Sequence, residues 1–190
     1  MNKFSFFLCI SLFTVHVSAQ MPTFVKGDNV AGLGIGIGGS LYSGLGFNSG
    51  VSRIPAISVF YESCIRDNLW DEKSSLGIGG VIGFASAKMS TSRDGYGWKC
   101  NNFIIGARGT LHYAFVDKLD TYTSLMLGFN AVSWKWTGEY YGGYGSSAAA
   151  SGLTLLWNIG ARYYFTDNLA AFAELGYGFA ILNLGVALKL

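Results

Sequence analysis

The sequence predicts an all-β fold, specifically an eight-stranded antiparallel transmembrane β-barrel with periplasmic termini. Three observations predict it: the composition, a period-two alternation of apolar residues, and connections that alternate in length. Of the 190 residues, 51% are hydrophobic and only 13% are charged. This chain is too apolar for an ordinary soluble domain, and the same figures exclude a disordered one. The 27 glycines show no three-residue repeat, which excludes collagen.

Residues 1–19 have the pattern of a secretory signal peptide. Met1–Lys3 is positively charged, Phe4–Val15 is apolar, and Val17–Ala19 supplies the small residues of a cleavage site. The alternative is a retained membrane anchor, but this apolar stretch is short for a spanning helix. We therefore expect residues 20–190 to form one exported barrel domain that begins at Gln20.

After Gln20, apolar residues alternate with polar or small ones in segments of about ten residues, which is typical of transmembrane β-strands. The clearest segment is Leu153–Phe165, where seven alternate residues from Leu153 to Phe165 are apolar or aromatic. No run approaches the 18 continuous apolar residues of a transmembrane helix. The predicted strands are Asn29–Gly38, Ile54–Ile65, Ser75–Ala87, Asn102–Phe115, Thr121–Trp134, Leu153–Phe165, Leu169–Gly176 and Leu182–Leu190.

The connections between these strands alternate between two kinds. Arg66–Lys73, Asp117–Asp120 and Thr166–Asn168 are short and acidic, whereas Ser40–Arg53, Met89–Asn101 and Lys135–Ser151 are longer and rich in Gly, Ser and Tyr. Outer-membrane barrels have short periplasmic turns and longer outer loops. Because the strand number is even, both termini are expected in the periplasm.

The apolar faces are expected to point to lipid and the polar faces into the lumen. A soluble, lipocalin-like barrel would have the opposite arrangement, but it would leave full-length apolar faces in contact with water. The strand parity predicts an interior polar network of Glu62, Arg108, His112, Asn158, Arg162, Glu174 and Lys189. This network is interpreted as a structural plug of ion pairs. The alternative is a polar path for ions or protons.

One ion pair inside this network follows from the predicted register. A turn at Thr166–Asn168 places Arg162 opposite Phe172, so that Glu174 becomes the diagonal neighbour of Arg162. Diagonal neighbours lie about 7–8 Å apart and are within reach of long side chains. The sequence therefore predicts an ion pair between Arg162 and Glu174.

Catalytic motifs give little support to an enzyme. Gly34–Gly39 matches a dinucleotide-binding fingerprint but lacks the strand and helix that this motif needs. His112, the single histidine after residue 19, faces inward, whereas a lipid-hydrolysing pair needs an outward histidine near a serine. We expect no catalysis, no cofactor, no metal and no nucleic-acid partner.

The net charge of +2 conceals an uneven distribution. The longer connections are basic on balance and the short ones are acidic. Lys and Arg bind phosphate well, so Lys88, Arg93, Lys99 and Lys135 are predicted to form a rim that contacts lipid A phosphates. The alternative is that these are solvated loop charges.

Two cysteines, Cys64 and Cys100, remain after residue 19. Their predicted positions are at opposite ends of the barrel, separated by the membrane span of about 25 Å. A disulfide needs Cα atoms within about 7 Å. We therefore predict no bridge. Aromatic residues near the ends of the long connections, including Trp98, Trp134 and Trp136, are interpreted as an interfacial girdle, with a binding surface as the alternative.

The C-terminal half also resembles a known family. Gly106-Ala107-Arg108 and His112, Gly160 to Asn168 (GARYYFTDN), Ala173 to Gly178 (AELGYG) and Leu182 to Leu190 (LNLGVALKL) together resemble the small outer-membrane β-barrel proteins common in Bacteroidetes, akin to OmpX- and OmpW-like barrels. One departure is Leu190, where many such barrels end in an aromatic residue.

This resemblance implies a monomer that the barrel insertion machinery places in the outer membrane, among lipids that include lipid A. The family has no single biochemical role. The resemblance therefore indicates location more than function. We expect a structural or surface-interaction role through the outer loops, with an extracellular ligand left open. The alternatives are a minor pore for small solutes or ions and, ranked last, a lipid-modifying enzyme.

Overall fold

The structure is a computed structural model that describes residues 23–38, 51–90, 97–137, 148–177 and 180–190. Eight antiparallel strands form a closed barrel in which β1 pairs with β8. They are β1 (Asn29–Ile37), β2 (Val51–Asp67), β3 (Ser74–Ser90), β4 (Gly97–Val116), β5 (Leu119–Thr137), β6 (Ala148–Tyr164), β7 (Leu169–Tyr177) and β8 (Leu182–Lys189). The predicted all-β fold, a closed barrel of eight antiparallel strands, is confirmed. Among the described residues, no helix is long and apolar enough to cross a membrane.

The strands differ in length, which gives the barrel a tall side and a short side. β2 to β6 have 17 to 20 residues each, whereas β1, β7 and β8 have 9, 9 and 8. Each predicted strand coincides with the centre of an observed strand, but the predicted ranges are too short for β2 to β6. Pairing continues there into segments rich in Lys, Trp, Ser and Gly, which composition alone assigns to loops.

The two ends of the barrel differ in their connections. At one end, called the short-turn end below, three turns of two to six residues join β2 to β3, β4 to β5 and β6 to β7. Asn29 at the start of β1 and Leu190 also lie there, joined by a backbone hydrogen bond from Leu190 N to Asn29 O of 2.8 Å. The opposite, long-connection end carries residues 39–50, 91–96 and 138–147, which lie outside the described residues, as does the predicted signal peptide.

The outer face of the barrel is an apolar surface, as the strand parity predicts. On β4, for example, Phe103, Ile105 and Leu111 are 45%, 49% and 39% exposed. Further outward-facing residues include Leu33, Ile35, Val59, Ile82, Phe84, Leu125, Leu127, Phe129, Leu155, Leu184 and Val186. A continuous apolar surface of this extent is unfavourable in water.

Large and very small residues alternate around the lumen so that the side chains fit. A Cβ atom at Gly32 would collide with the ring of Phe60, and one at Gly160 would come within 2.6 Å of the Tyr122 ring. Gly32, Gly34 and Gly36 of β1 therefore make room for inward side chains of neighbouring strands. This packing role explains the alternating glycines that resemble a dinucleotide-binding fingerprint.

The two cysteines lie at different levels of the barrel, as predicted. Cys64 is level with Thr110, because both pair with Gly77. Thr110 is ten residues along β4 from Cys100, a distance of about 33 Å at the usual rise per residue. Both thiols are buried and free.

Candidate functional site

The distinctive feature of the lumen is a cluster of buried ionisable side chains, called the lumen network below. Its members come from β2, β4, β5, β6 and β7 and are each at most 4% exposed: Glu62, Arg108, His112, Asp120, Arg162 and Glu174. An isolated buried charge is very costly. The pairing of these groups therefore decides whether the barrel is stable.

His112 lies between two carboxylates. Its Nε2 is 2.5 Å from Glu62 Oε1, and its Nδ1 is 2.9 Å from Asp120 Oδ1. With Glu62 and Asp120 both ionised, each carboxylate only accepts hydrogen bonds, so both ring nitrogens donate and the ring is an imidazolium. The lumen network then contains three cations and three carboxylates, and its charges cancel.

Arg162 contacts the same two carboxylates. Its Nη2 is 3.2 Å from Glu62 Oε2, and its Nη1 is 3.5 Å from Asp120 Oδ2. Glu62 and Asp120 each bridge His112 and Arg162, which closes a ring of four alternating charges. The guanidinium also lies over the rings of Phe60 and Tyr122, at 5.7 and 5.3 Å.

Arg108 and Glu174 form the second half of the lumen network. Arg108 Nη2 is 2.8 Å from Glu174 Oε1, which also accepts a hydrogen bond of 2.9 Å from the Tyr122 hydroxyl. Asn183 Nδ2 donates to Glu174 Oε2 at 3.0 Å. Glu174 is thus satisfied by three donors from three different strands.

The predicted ion pair between Arg162 and Glu174 is wrong. The register behind it is correct, since Arg162 does pair with Phe172. However, Glu174 binds Arg108 of β4, and Arg162 binds Glu62 of β2 and Asp120 of β5. In a narrow closed barrel, inward side chains meet across the lumen and are not limited to partners on adjacent strands.

Asp120 is a member of the lumen network that the sequence reasoning missed. It was assigned to the acidic turn Asp117–Asp120, but β5 already begins at Leu119 and Asp120 is 1% exposed. The signal was present, because Asp120 has the same parity as Tyr122 and Ser124, which both face inward and are buried.

Two other predicted members lie at the edges of the lumen network. Lys189 pairs with buried Val30, so it faces the lumen, but its amine lies at the barrel mouth, 2.9 Å from Asp28 Oδ2 and 2.6 Å from Thr23 O. Lys189 was predicted to belong to the interior network, but its amine lies at the mouth of the barrel instead. Asn158 is half-buried and lines a small cavity beside the network.

A segment before β1 closes the barrel at the short-turn end. Phe24 is 1% exposed, and its ring lies 4.4 Å from the His112 ring and 5.9 Å from the Arg162 guanidinium. The segment is fixed by hydrogen bonds from Lys26 N to Asp67 Oδ2 and from Gly27 N to Cys64 O. Phe24 is therefore a stopper directly below the charged groups.

The lumen is also narrow on the other side of the network. A cavity of about 30 Å³ borders Arg108, Glu174 and Asn158, which is room for about two water molecules. Met126 and Leu156 also line this cavity, and they pack with Ile104 as a buried apolar cluster. The described part of the lumen is therefore largely filled by side chains.

The predicted phosphate-binding rim is partly assembled by the strand register. Lys88 pairs directly with Lys99, and Lys99 pairs directly with Lys135. These three residues, called the lysine row below, are exposed on the outer face near the long-connection end. Arg93, the fourth predicted member, lies outside the described residues.

Three of the aromatic residues at this end that the structure describes do not face outward as a girdle would. Trp98 and Trp136 are a cross-strand pair, 5.2 Å apart in an edge-to-face arrangement, and Trp134 pairs with buried Cys100. All three have the parity of inward residues. They therefore lie on the lumen side of β4 and β5, the strands that carry Lys99 and Lys135 on their outer side.

This arrangement is suited to stability and closure more than to catalysis. Both nitrogens of His112 are bound by carboxylates, so the ring has no free lone pair with which to act as a general base. Among the residues that the structure describes, no group of three or more His, Cys, Asp or Glu side chains has the geometry to hold a metal ion.

Comparison with known proteins adds similarities of fold. No protein-family model and no curated protein sequence matches the chain. Ail of Yersinia pestis, solved with the heparin analogue sucrose octasulfate, is similar at 12% identity and a TM-score of 0.48, covering 87% of this chain and 96% of Ail. The N-terminal β-barrel domain of Pseudomonas aeruginosa OprF is similar at 12% identity and a TM-score of 0.46, covering 87% and 98%.

Proposed function

We propose that this protein is an integral outer-membrane β-barrel whose barrel is a closed, non-conducting anchor, with a structural or surface-interaction role at its long-connection end. One observation carries the proposal: an apolar outer face surrounds a lumen that is filled by compensated charges and stopped by Phe24. We propose a monomer, because closure leaves no free strand edge for pairing with another copy.

The height of the apolar face fits a membrane. On β4, outward residues are apolar or aromatic from Phe103 to Tyr113, except for Gly109. Ten residues span about 34 Å along a strand. A strand tilt of about 40° reduces this to about 26 Å along the barrel axis, close to the apolar band of about 25 Å in outer-membrane barrels.

The orientation follows from the same comparison of ends. Short turns face the periplasm in outer-membrane barrels, which supports a periplasmic position for the short-turn end. The predicted signal peptide, residues 1–19, supports export, and the barrel insertion machinery is the expected partner for assembly. β2 to β6 continue beyond the apolar band, so residues 39–50, 91–96 and 138–147 would be presented to the cell exterior.

Epitope tags test location and orientation. A tag inserted between residues 142 and 143 should be labelled by antibody on intact cells. A matched tag in the turn between Asp117 and Lys118 should be labelled only after the outer membrane is permeabilised. Labelling of the second tag alone on intact cells would reverse the orientation, and recovery of both proteins in the soluble fraction would overturn the membrane assignment.

Planar-bilayer recordings test closure. The purified wild-type protein should insert without producing discrete conductance steps, because the lumen network fills the barrel and Phe24 covers it at the short-turn end. Reproducible steps from the wild type would replace the closed anchor with the minor pore as the function. An altered lipid A mass spectrum in a deletion strain would instead support the lipid-modifying enzyme.

A further inference from the structure

We propose that Lys88, Lys99 and Lys135 form a binding site for the phosphate groups of an outer-leaflet glycolipid of the lipid A type. The inference rests on the proposed outer-membrane location and orientation, and it adds a ligand to the outer face. It narrows the sequence-based rim to the three residues that the strand register brings together.

The lysine row is created by pairing between strands that are distant in sequence. Lys88, Lys99 and Lys135 are direct partners on β3, β4 and β5. Side chains at directly opposite positions have Cβ atoms about 4.5–5.5 Å apart. Three ammonium groups can therefore converge on one anion above the middle strand.

The lysine row is electrostatically unfavourable in the protein alone. Like charges directly opposite each other destabilise a sheet, and the lysine row contains two such contacts. None of its members forms an ion pair with another residue among those described. A phosphate group supplies the missing negative charge and accepts several charge-assisted hydrogen bonds at once.

The rows below the lysine row change in character, as a membrane interface requires. From the lysine row toward the short-turn end, the next rows on β3, β4 and β5 are Ser86–Asn101–Ser133 and then Phe84–Phe103–Ala131. Ser86 Oγ donates to Asn101 Oδ1 at 2.8 Å, so two of the three residues in this neutral polar row are joined by a hydrogen bond. The outer face thus passes from apolar to neutral polar to cationic within four residues of each strand.

The depth of the lysine row matches the headgroup layer. Lys99 lies four residues beyond Phe103, which is about 14 Å along the strand and about 10 Å along the axis at a tilt of about 40°. The polar headgroup region begins where the hydrocarbon ends and extends about 5–8 Å. Lysine side chains are long enough to return their amines from the row into this layer.

The test compares two variants from which three positive charges have been removed. In the first, the lysine row becomes Lys88→Gln, Lys99→Gln and Lys135→Gln. In the matched control, exposed cations of the short-turn end become Lys26→Gln, Arg66→Gln and Lys118→Gln. Both variants and the wild type are folded into phosphatidylcholine vesicles, alone or with lipid A, dephosphorylated lipid A or phosphatidylglycerol.

Native mass spectrometry then measures lipid A retention, and thermal unfolding measures the lipid-dependent shift. Each lysine near an anionic lipid surface contributes about a fivefold change in binding, so the triple variant should retain lipid A on the order of 100-fold more weakly. Its lipid A-dependent rise in unfolding temperature should disappear, whereas the control should keep it. Dephosphorylated lipid A should not stabilise the wild type.

Three outcomes would count against the site. Equal lipid A retention by the two triple variants would overturn it, and equal stabilisation by phosphatidylglycerol would replace the glycolipid with any anionic lipid. Full stabilisation by free inorganic phosphate in the buffer would remove the lipid altogether. If the wild type does not fold into any of these vesicles, the proposed membrane function itself fails, which is a separate result.

Discussion

The barrel contains two groups of neighbouring charges that differ in how the charges are neutralised. In the lumen network, three cations and three carboxylates are buried and satisfy one another across the barrel. In the lysine row, three cations lie side by side on the outer face, and no carboxylate among the described residues pairs with them. A buried charge must be neutralised by an opposite charge within the chain, whereas an exposed charge can be neutralised by a ligand from outside.

The largest effect is expected where one carboxylate serves two buried cations. Glu62→Ala removes a partner from both His112 and Arg162 and should lower the free energy of unfolding by about 5 kcal/mol, the upper end for breaking a buried pair. Urea unfolding in vesicles measures this. Glu72→Ala, in an exposed turn, is the control and should change stability by less than about 0.5 kcal/mol. Equal loss in the two variants would mean that the lumen network does not stabilise the barrel.

The second prediction tests which arginine belongs to Glu174. Glu174→Ala should cost about 3–4 kcal/mol because Arg108 loses its carboxylate. Adding Arg108→Met should recover part of this loss, whereas adding Arg162→Met should increase it. Double-mutant cycles of unfolding free energies separate the two pairs. If Arg162→Met recovers stability in the Glu174→Ala background and Arg108→Met does not, then Glu174 pairs with Arg162, as the sequence predicted.

The third prediction concerns the stopper. Phe24→Ala removes a buried ring and should cost about 3 kcal/mol, the lower end for this substitution, because the site at the barrel mouth can take up water. Conductance should remain absent, since the side chains of the lumen network still fill the barrel. Val25→Ala, in the same segment but less buried, is the control. Discrete conductance steps in Phe24→Ala would make the stopper the sole barrier.

A smaller effect of opposite sign is expected in the lysine row. Lys99→Gln removes the central charge and relieves two like-charge contacts, which should raise stability by about 0.2–1 kcal/mol in phosphatidylcholine. Lys118→Gln, at the opposite end, should have no such effect. A loss of stability for Lys99→Gln in neutral lipid would indicate that Lys99 already has a partner within the protein.

The smallest effect concerns Asp71, an exposed carboxylate in the turn between β2 and β3. Partial loss of hydration raises its pKa, but hydrogen bonds from the Lys73 backbone N–H and the Tyr113 hydroxyl, both 3.0 Å long, leave the pKa below its ordinary value of 3.8. The ionised form is therefore favoured by folding, and its contribution is lost as the pH falls below about 4. Asp71→Asn should flatten this part of the stability profile, and an unchanged profile would contradict the role of the turn.

The sequence by itself determined the fold class and the direction of most side chains. Alternation with period two is a local property, so the segment Leu153–Phe165 or the glycines of β1 reveal their faces without any knowledge of partners. Even the pairing of Arg162 with Phe172 followed from the position of one turn. Asp120 was missed only because a short acidic turn and the start of a strand have similar compositions.

Only the tertiary structure decided which buried charges meet. Glu174 binds Arg108 of β4 and Arg162 binds Glu62 of β2, because closing eight strands into a narrow barrel brings non-adjacent walls within reach of side chains. Asp120, by contrast, is the direct neighbour of Arg162 on the adjacent strand β5. No periodicity along the chain contains this information. The same holds for Phe24, which lies before the first strand and enters the lumen, and for the lysine row, whose members are 11 and 36 residues apart in sequence and become neighbours through the register of two strand pairs.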